Sequence, residues 1–141
     1  MERTDDEVSL VPREHVPLVI REIAPLLIRL DNRMLGRYTV EDLVGYLIDG
    51  TLDLWVVIRG DGIIAFVATR IVEFPRARCL SLQFASGSDM EAISEPLMST
   101  FHSYARDMGC AEIEVLGRPG WARHLEPYGF KAAYTVVKKE I

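Results

Sequence analysis

Cysteine is scarce in this chain: Cys79 and Cys110 are the two present, and neither belongs to a Cys-x-x-Cys pair or a Cys/His spacing that suits a metal. That excludes a disulfide framework and a zinc-stapled fold, leaves no metal site in the reading, and makes two reduced thiols the expectation. Positive charge is short as well. Sixteen Lys and Arg against 21 Asp and Glu give a net charge of -5, the wrong sign for a protein that binds nucleic acid by displacing counterions from phosphates. Long apolar runs are missing too, since Arg21, Glu22, Pro25 and Arg29 interrupt the longest of them, well short of the roughly 20 apolar residues of a membrane span. Met1 to Glu7 is acidic and lacks a basic region followed by an apolar stretch, so no secretory signal is read there. An intracellular protein is expected.

What is present is ordinary for a globular chain: 49% apolar and 26% charged residues over 141 positions. A chain of this length buries roughly two thirds of its unfolded surface, enough for one domain over residues 1–141 without staples, with 1–7 as a flexible tail. No internal repeat or low-complexity stretch occurs.

Val8 to Val11 reads as a short first strand, ended by Pro12. From Leu18, the apolar residues Val19, Ile20, Ile23, Leu26, Leu27 and Leu30 recur at helical spacing, with a kink expected at Pro25. Gly36 closes that region. Thr39 followed by Glu41 and Asp42 starts a second helix, which Asp49-Gly50 stops. Leu54 to Ile58, Ile63 to Ile71 and Cys79 to Phe84 read as three antiparallel strands, with Asp61-Gly62 as the first turn and Pro75 at the second. Ile93, Leu97, Phe101, Ala105 and Met108 give a long helix with one buried face. Its start is read either as a Ser88 to Glu91 capping box or near Ala92 to Glu95, because Pro96 belongs in a first turn. Glu112 and Glu114 alternate with Ile113 and Val115 in a further strand, so the two carboxylates share a face. A helix from Trp121 to Tyr128 and a last strand from Lys131 to Lys139 complete the chain. The strand-helix-strand crossover requires a mixed sheet covered by helices.

This order of elements, together with Leu97-Met98, Ala105-Arg106-Asp107-Met108-Gly109-Cys110 and Tyr128-Gly129-Phe130, resembles the GNAT superfamily of acyl-CoA-dependent acetyltransferases. The resemblance implies an α/β (α+β) fold with a central mixed, mostly antiparallel sheet of about six to seven strands and helices on both faces. It also implies acetyl-CoA as cofactor if the chain is active. Family members carry a Gln/Arg-x-x-Gly-x-Gly/Ala loop whose N–H groups receive the cofactor diphosphate at the start of the long helix. Here the glycine positions fall on Ala92 and Ser94 and the basic position on Asp89, with Glu91 and Glu95 adding carboxylates. Gly87 can serve a shifted loop. On that basis Phe84, Ala85, Ser86 and Gly87 would present backbone groups to the pantetheine, and Ser86, Gly87 and Ser88 would face the phosphates.

The resemblance also implies a tyrosine acid four residues before the glycine of Gly-Phe, a place held by Leu125; Tyr128 is the substitute. A base that takes a proton from an amine would come from Glu112 or Glu114. His15, His102 and His124 are scattered, and no pair has nucleophile or metal spacing.

Leu54-Trp55-Val56-Val57, the Gly117-Arg118-Pro119-Gly120-Trp121 loop and Pro127-Tyr128-Gly129-Phe130 before a Lys-rich end are similar to acetyltransferase-like proteins encoded by bacteriophages, some of them virion-associated. That resemblance implies a fold retained for assembly, in the cytoplasm of a bacterial host or in the virion, with phage particle components or another protein as partner and a homo-oligomer as a further expectation. Arg118, Trp121 and Arg123 are then the binding surface, since aromatic and arginine side chains are enriched in hot spots. Arg70, Arg76 and Arg78 flank the Pro75 turn as a second basic group. The competing readings are an active N-acetyltransferase on an amine of a small molecule or protein, and a regulatory module that binds a different small molecule in the same cleft.

Overall fold

A computed structural model describes residues 6–30, 37–117 and 119–141. β1 (Glu7–Leu10) leads through a short 3-10 turn at Arg13–His15 into α1 (Val16–Leu30), followed by α2 (Val40–Asp49). β2 (Asp53–Arg59), β3 (Gly62–Glu73) and β4 (Arg78–Gly87) form a meander, then come α3 (Met90–Asp107), β5 (Glu112–Val115) and α4 (Pro119–Leu125), which passes into a 3-10 turn at Glu126–Tyr128. The described sheet has the order β1-β2-β3-β4-β5, antiparallel as far as β4 and parallel between β4 and β5.

β2 shows why the sheet needs cover on both faces. Leu54 and Val56 enter a core with Ile23, Leu27 and Leu30 of α1 and Leu43 and Leu47 of α2. Trp55 and Val57, pointing the other way, enter a second core with Ile93, Leu97, Phe101 and Ala105 of α3. A strand buried on both faces reads as a continuous apolar run, as this one does. Trp55 anchors the second core: its indole N–H donates to Thr69 Oγ1 at 3.0 Å, and its ring stands edge-on to Phe101 and Tyr104.

α1 starts two residues before the expected Leu18, because Pro17 is acceptable in a first turn where its missing N–H has no helical partner to lose. α2 begins at a reciprocal capping box, with Thr39 Oγ1 accepting from the Asp42 N–H at 3.1 Å and the Asp42 carboxylate accepting from the Thr39 N–H at 3.0 Å. The expected end at Gly36 lies outside the described residues.

Four expectations need correction. The first hairpin turns at Gly60-Asp61, since Arg59 already pairs with Gly62, and it is Gly60 that takes the positive φ of 62°. α3 starts at Met90 with neither Ser88 capping it nor a late start beyond Ala92: Asp89 is the N-cap, with φ 56° and no side-chain capping bond. Ser88 is committed elsewhere, its N–H donating to the Ile64 carbonyl. α4 ends at Leu125, and the chain tightens into a 3-10 turn around Pro127, which has no N–H to continue the α pattern. The sheet has five described strands where six to seven were expected, because Lys131 to Lys139 forms no strand. It has the composition of one, but a strand exists only through the ladder it shares with a neighbour, and this segment is exposed throughout.

Candidate functional site

β4 outruns its parallel neighbour. The ladder runs from Cys79↔Glu112 to Leu82↔Val115 and closes with the Leu116 N–H on the Leu82 carbonyl. Beyond it, among the described residues, Phe84 to Gly87 pair with β3 alone. The parting coincides with a bulge: Thr69 pairs with Leu82 and Ala68 with Phe84, leaving Gln83 as the extra residue. A bulge of this kind bends and twists its strand, and it falls where β5 ends. Among the described residues no strand pairs with that edge of β4 beyond Leu82, an arrangement suited to an extended ligand that carries amides.

The face toward α1 and α2 holds a short polar chain at this parting. Gln83 Nε2 donates to Ser81 Oγ at 3.2 Å, and Ser81 Oγ donates to Glu114 Oε2 at 2.7 Å. Ser81 is buried, Glu114 half-buried and Glu112 exposed. Burial, aided by the negative charges of Glu114 and Glu112, pushes the Cys79 thiol beside them up to about 11. Alternation along β5 therefore brings the two carboxylates to one face as expected, and Glu114 is the one held by a partner. Phe84 leans edge-on against Tyr38 at 5.5 Å, and Tyr38 against Tyr46 at 6.2 Å, so an aromatic wall stands on the same side.

At the far end of β4 the side chains of the residues expected to hold a cofactor pack into the fold. Ala85 lies against the α3-side core and Ser86 is buried. Gly87 backs onto Ala65 so closely that a Cβ would overlap it. Asp89 accepts from Arg59 Nη1 at 3.2 Å, while the same guanidinium grips Asp6 at 2.7 and 2.9 Å. Arg59, at the start of α3, is thus shared between two carboxylates.

α4 closes against α3. Met90, Gly120, Trp121 and His124 line a cleft of about 340 Å³. Ser94 Oγ donates to the Met90 carbonyl at 2.7 Å and meets His124 Nε2 at 2.9 Å. With its single proton committed to Met90, the serine accepts, and the imidazole Nε2–H donates. Trp121 stands edge-on to His124 at 5.5 Å and lies against Gly117. Nothing in the spacing of Ser94 and His124 announced this contact; the available signal was that Met90 and Ser94 are one turn apart on α3, as Trp121 and His124 are on α4.

Of the other expected residues, Tyr128 is 38% exposed on the 3-10 turn and lies outside the lining of that cleft. Arg123 is exposed, Trp121 half-buried, and Arg118 lies outside the described residues. Arg78 is no loose basic group: its Nε is 2.9 Å from Glu73 and its Nη1 donates to the Met108 carbonyl at 2.7 Å, tying β4 to the end of α3.

No family model and no curated protein matches the sequence. Solved structures do match over its length. A ribosomal-protein-alanine N-acetyltransferase from Brucella melitensis superposes with a TM-score of 0.69 at 14% identity, covering 97% of this chain and 98% of that one. A GNAT family acetyltransferase from Staphylococcus aureus gives 0.68 at 13%, covering 96% and 98%. A predicted acetyltransferase from Clostridium acetobutylicum, solved with acetyl-CoA, gives 0.68 at 14%, covering 96% of each chain. The chain has the GNAT fold. Identities this low establish the architecture and leave the chemistry to the residues present. Asp89 and Glu91 stand at the start of α3, and Arg59 there is engaged by Asp6 and Asp89.

Proposed function

We propose that this GNAT-fold chain acts by binding a protein, as a component in the assembly of a phage particle, and that it lacks efficient acetyl-CoA chemistry. The observation that carries the reading is the α3–α4 contact. Ser94 occupies the position of a family glycine, and its hydroxyl is bonded to His124, while carboxylates take the place of the positive charge a diphosphate requires. The helix dipole, worth up to about 1 kcal/mol at an exposed terminus, does not offset two carboxylates. The partner surface is the outer side of α4 and its flanking turns, where Leu116 (53% exposed), Arg123 and Tyr128 stand out around the half-buried Trp121. The loop and Gly-Phe residues that resemble phage proteins lie in this same region.

A second reading, an N-acetyltransferase acting on an amine, is favoured by one observation, the Gln83–Ser81–Glu114 chain where β4 and β5 part. There Glu114 would accept the amine proton and Tyr128 would protonate the thiolate. Thermal unfolding with millimolar acetyl-CoA separates the two. Ligand at a hundred times its Kd adds about 2.7 kcal/mol, which raises the midpoint by roughly 5 to 10 °C in a domain of this size. The binding reading expects an unchanged midpoint, and a rise of that size would replace it with the enzyme reading.

A further inference from the structure

A cavity of about 320 Å³ lies where β1 finishes and β2 begins. Its apolar wall is made by the buried Val16, Leu47, Leu52 and Leu54, with the exposed Leu10 beside them. It is distinct from the cleft between α3 and α4. β2 and β4 run the same way, and α3 follows the end of β4, whereas this cavity lies at the start of β2. Ligand pockets span roughly 300–1,000 Å³, so this one suits a small molecule.

Two residues of opposite charge, Arg13 and Asp53, share the lining with these apolar side chains. The Arg13 guanidinium is seated at the C-terminal end of α2. It lies against Gly50, where a Cβ would overlap it, and its Nη2 donates to the Ile48 carbonyl at 3.4 Å. The negative end of a helix dipole favours a cation there. The rest of the guanidinium fork keeps donors of the geometry that matches a carboxylate. Asp53 is half-buried, and among the described residues no hydrogen bond or ion pair reaches its carboxylate. Burial pushes that carboxyl up and the Arg13 charge draws it partly back, so the two groups sense each other without joining as a pair. Asp49 nearby is outside the lining and accepts from the Thr51 N–H at 2.8 Å.

A ligand complementary to this lining has an apolar body and carries both charges at one end. We propose that the cavity binds a free α-amino acid with an apolar side chain, its carboxylate on Arg13, its ammonium on Asp53 and its side chain against Leu47, Leu52 and Leu54. Covering a charge with an apolar body costs free energy unless the charge is paired. A fatty acid would cover Asp53 and leave it unpaired, and an alkylamine would do the same to Arg13. The zwitterion supplies a partner to each. The proposal is independent of whether the α3–α4 cleft binds acetyl-CoA.

The test is isothermal titration of the full chain with L-leucine and with L-phenylalanine, each compared with its decarboxylated amine and its deaminated acid. A submillimolar Kd is expected for at least one of the two amino acids, with both of its single-charge analogues weaker by about tenfold or more. Asp53→Asn is expected to weaken the amino acid by about tenfold and leave the deaminated acid unchanged, and Arg13→Gln to weaken it as much and leave the amine unchanged. On binding, the NMR methyl signals of Leu47 and Leu52 should shift while the Trp121 indole signal stays in place. No binding of either amino acid at millimolar concentration, a single-charge analogue that binds as tightly, or shifts at Trp121 without shifts at Leu47 and Leu52 would each overturn the proposal. The analogue comparison uses the wild-type chain, so it decides the matter even if a variant does not fold.

Discussion

Cys79 lies one residue from Leu80 in β4 and opposite Glu112 in β5, which makes its proton part of the fold's stability. Buried beside two carboxylates, the thiol is pushed up to about 11, whereas an unfolded chain releases that proton near pH 8.5. A raised acid leaves folding unaffected below the unfolded value. Above it the unfolded state gains by ionising, so stability falls from about pH 8.5 until the folded thiol also titrates, and is level beyond. Cys79→Ala is therefore expected to lose less stability than wild type between pH 8 and pH 10.5, by on the order of 1 to 2 kcal/mol, measured by urea unfolding under reducing conditions. Single residues also mark where sequence reasoning stopped. The shared face of Glu112 and Glu114 follows from the two-residue period of a strand. The meeting of Ser94 with His124 depends on how α4 is laid against α3, which no local pattern encodes.

At the scale of elements, legibility followed how much of an element's stabilisation is local. α1 and α3 were readable because a buried stripe repeats along one helix whatever its neighbours do. The start of α2 was readable because Thr39 and Asp42 satisfy each other's backbone groups within one turn. Thr39→Ala should accordingly cost about 1 kcal/mol, seen as a lower urea midpoint with an unchanged slope. The α3 start differs because Asp89 takes the N-cap position with its side chain reaching across to Arg59, and the Ser88 N–H that a capping box would offer Glu91 bonds back to β3. The turn after β2 was displaced by one residue because pairing of Arg59 with Gly62, a cross-strand matter, decided which glycine sat at the corner. The last strand failed for a stronger form of the same reason, since all of its stabilisation must come from a partner.

For the molecule as a whole, the two cores on opposite faces of one sheet make the central strands common to both. β2 and β3 contribute to each core, β1 and β5 are the outer members, and among the described residues no helix is long and apolar enough to cross a membrane. The consecutive order of the strands also bears on how the chain acquires its structure. β2, β3 and β4 are joined by short turns, so their pairing closes small loops, while β1 and β5 each reach the sheet only after intervening helices are in place. Loop closure of that kind is entropically cheap at the centre and dearer at the edges. Assembly should thus spread outward from the meander, and opening should run inward from both margins. Hydrogen exchange on the native protein is expected to find the amides of Phe66 to Thr69 among the slowest, near the rate of global unfolding, with those of β1 and β5 released earlier through partial opening.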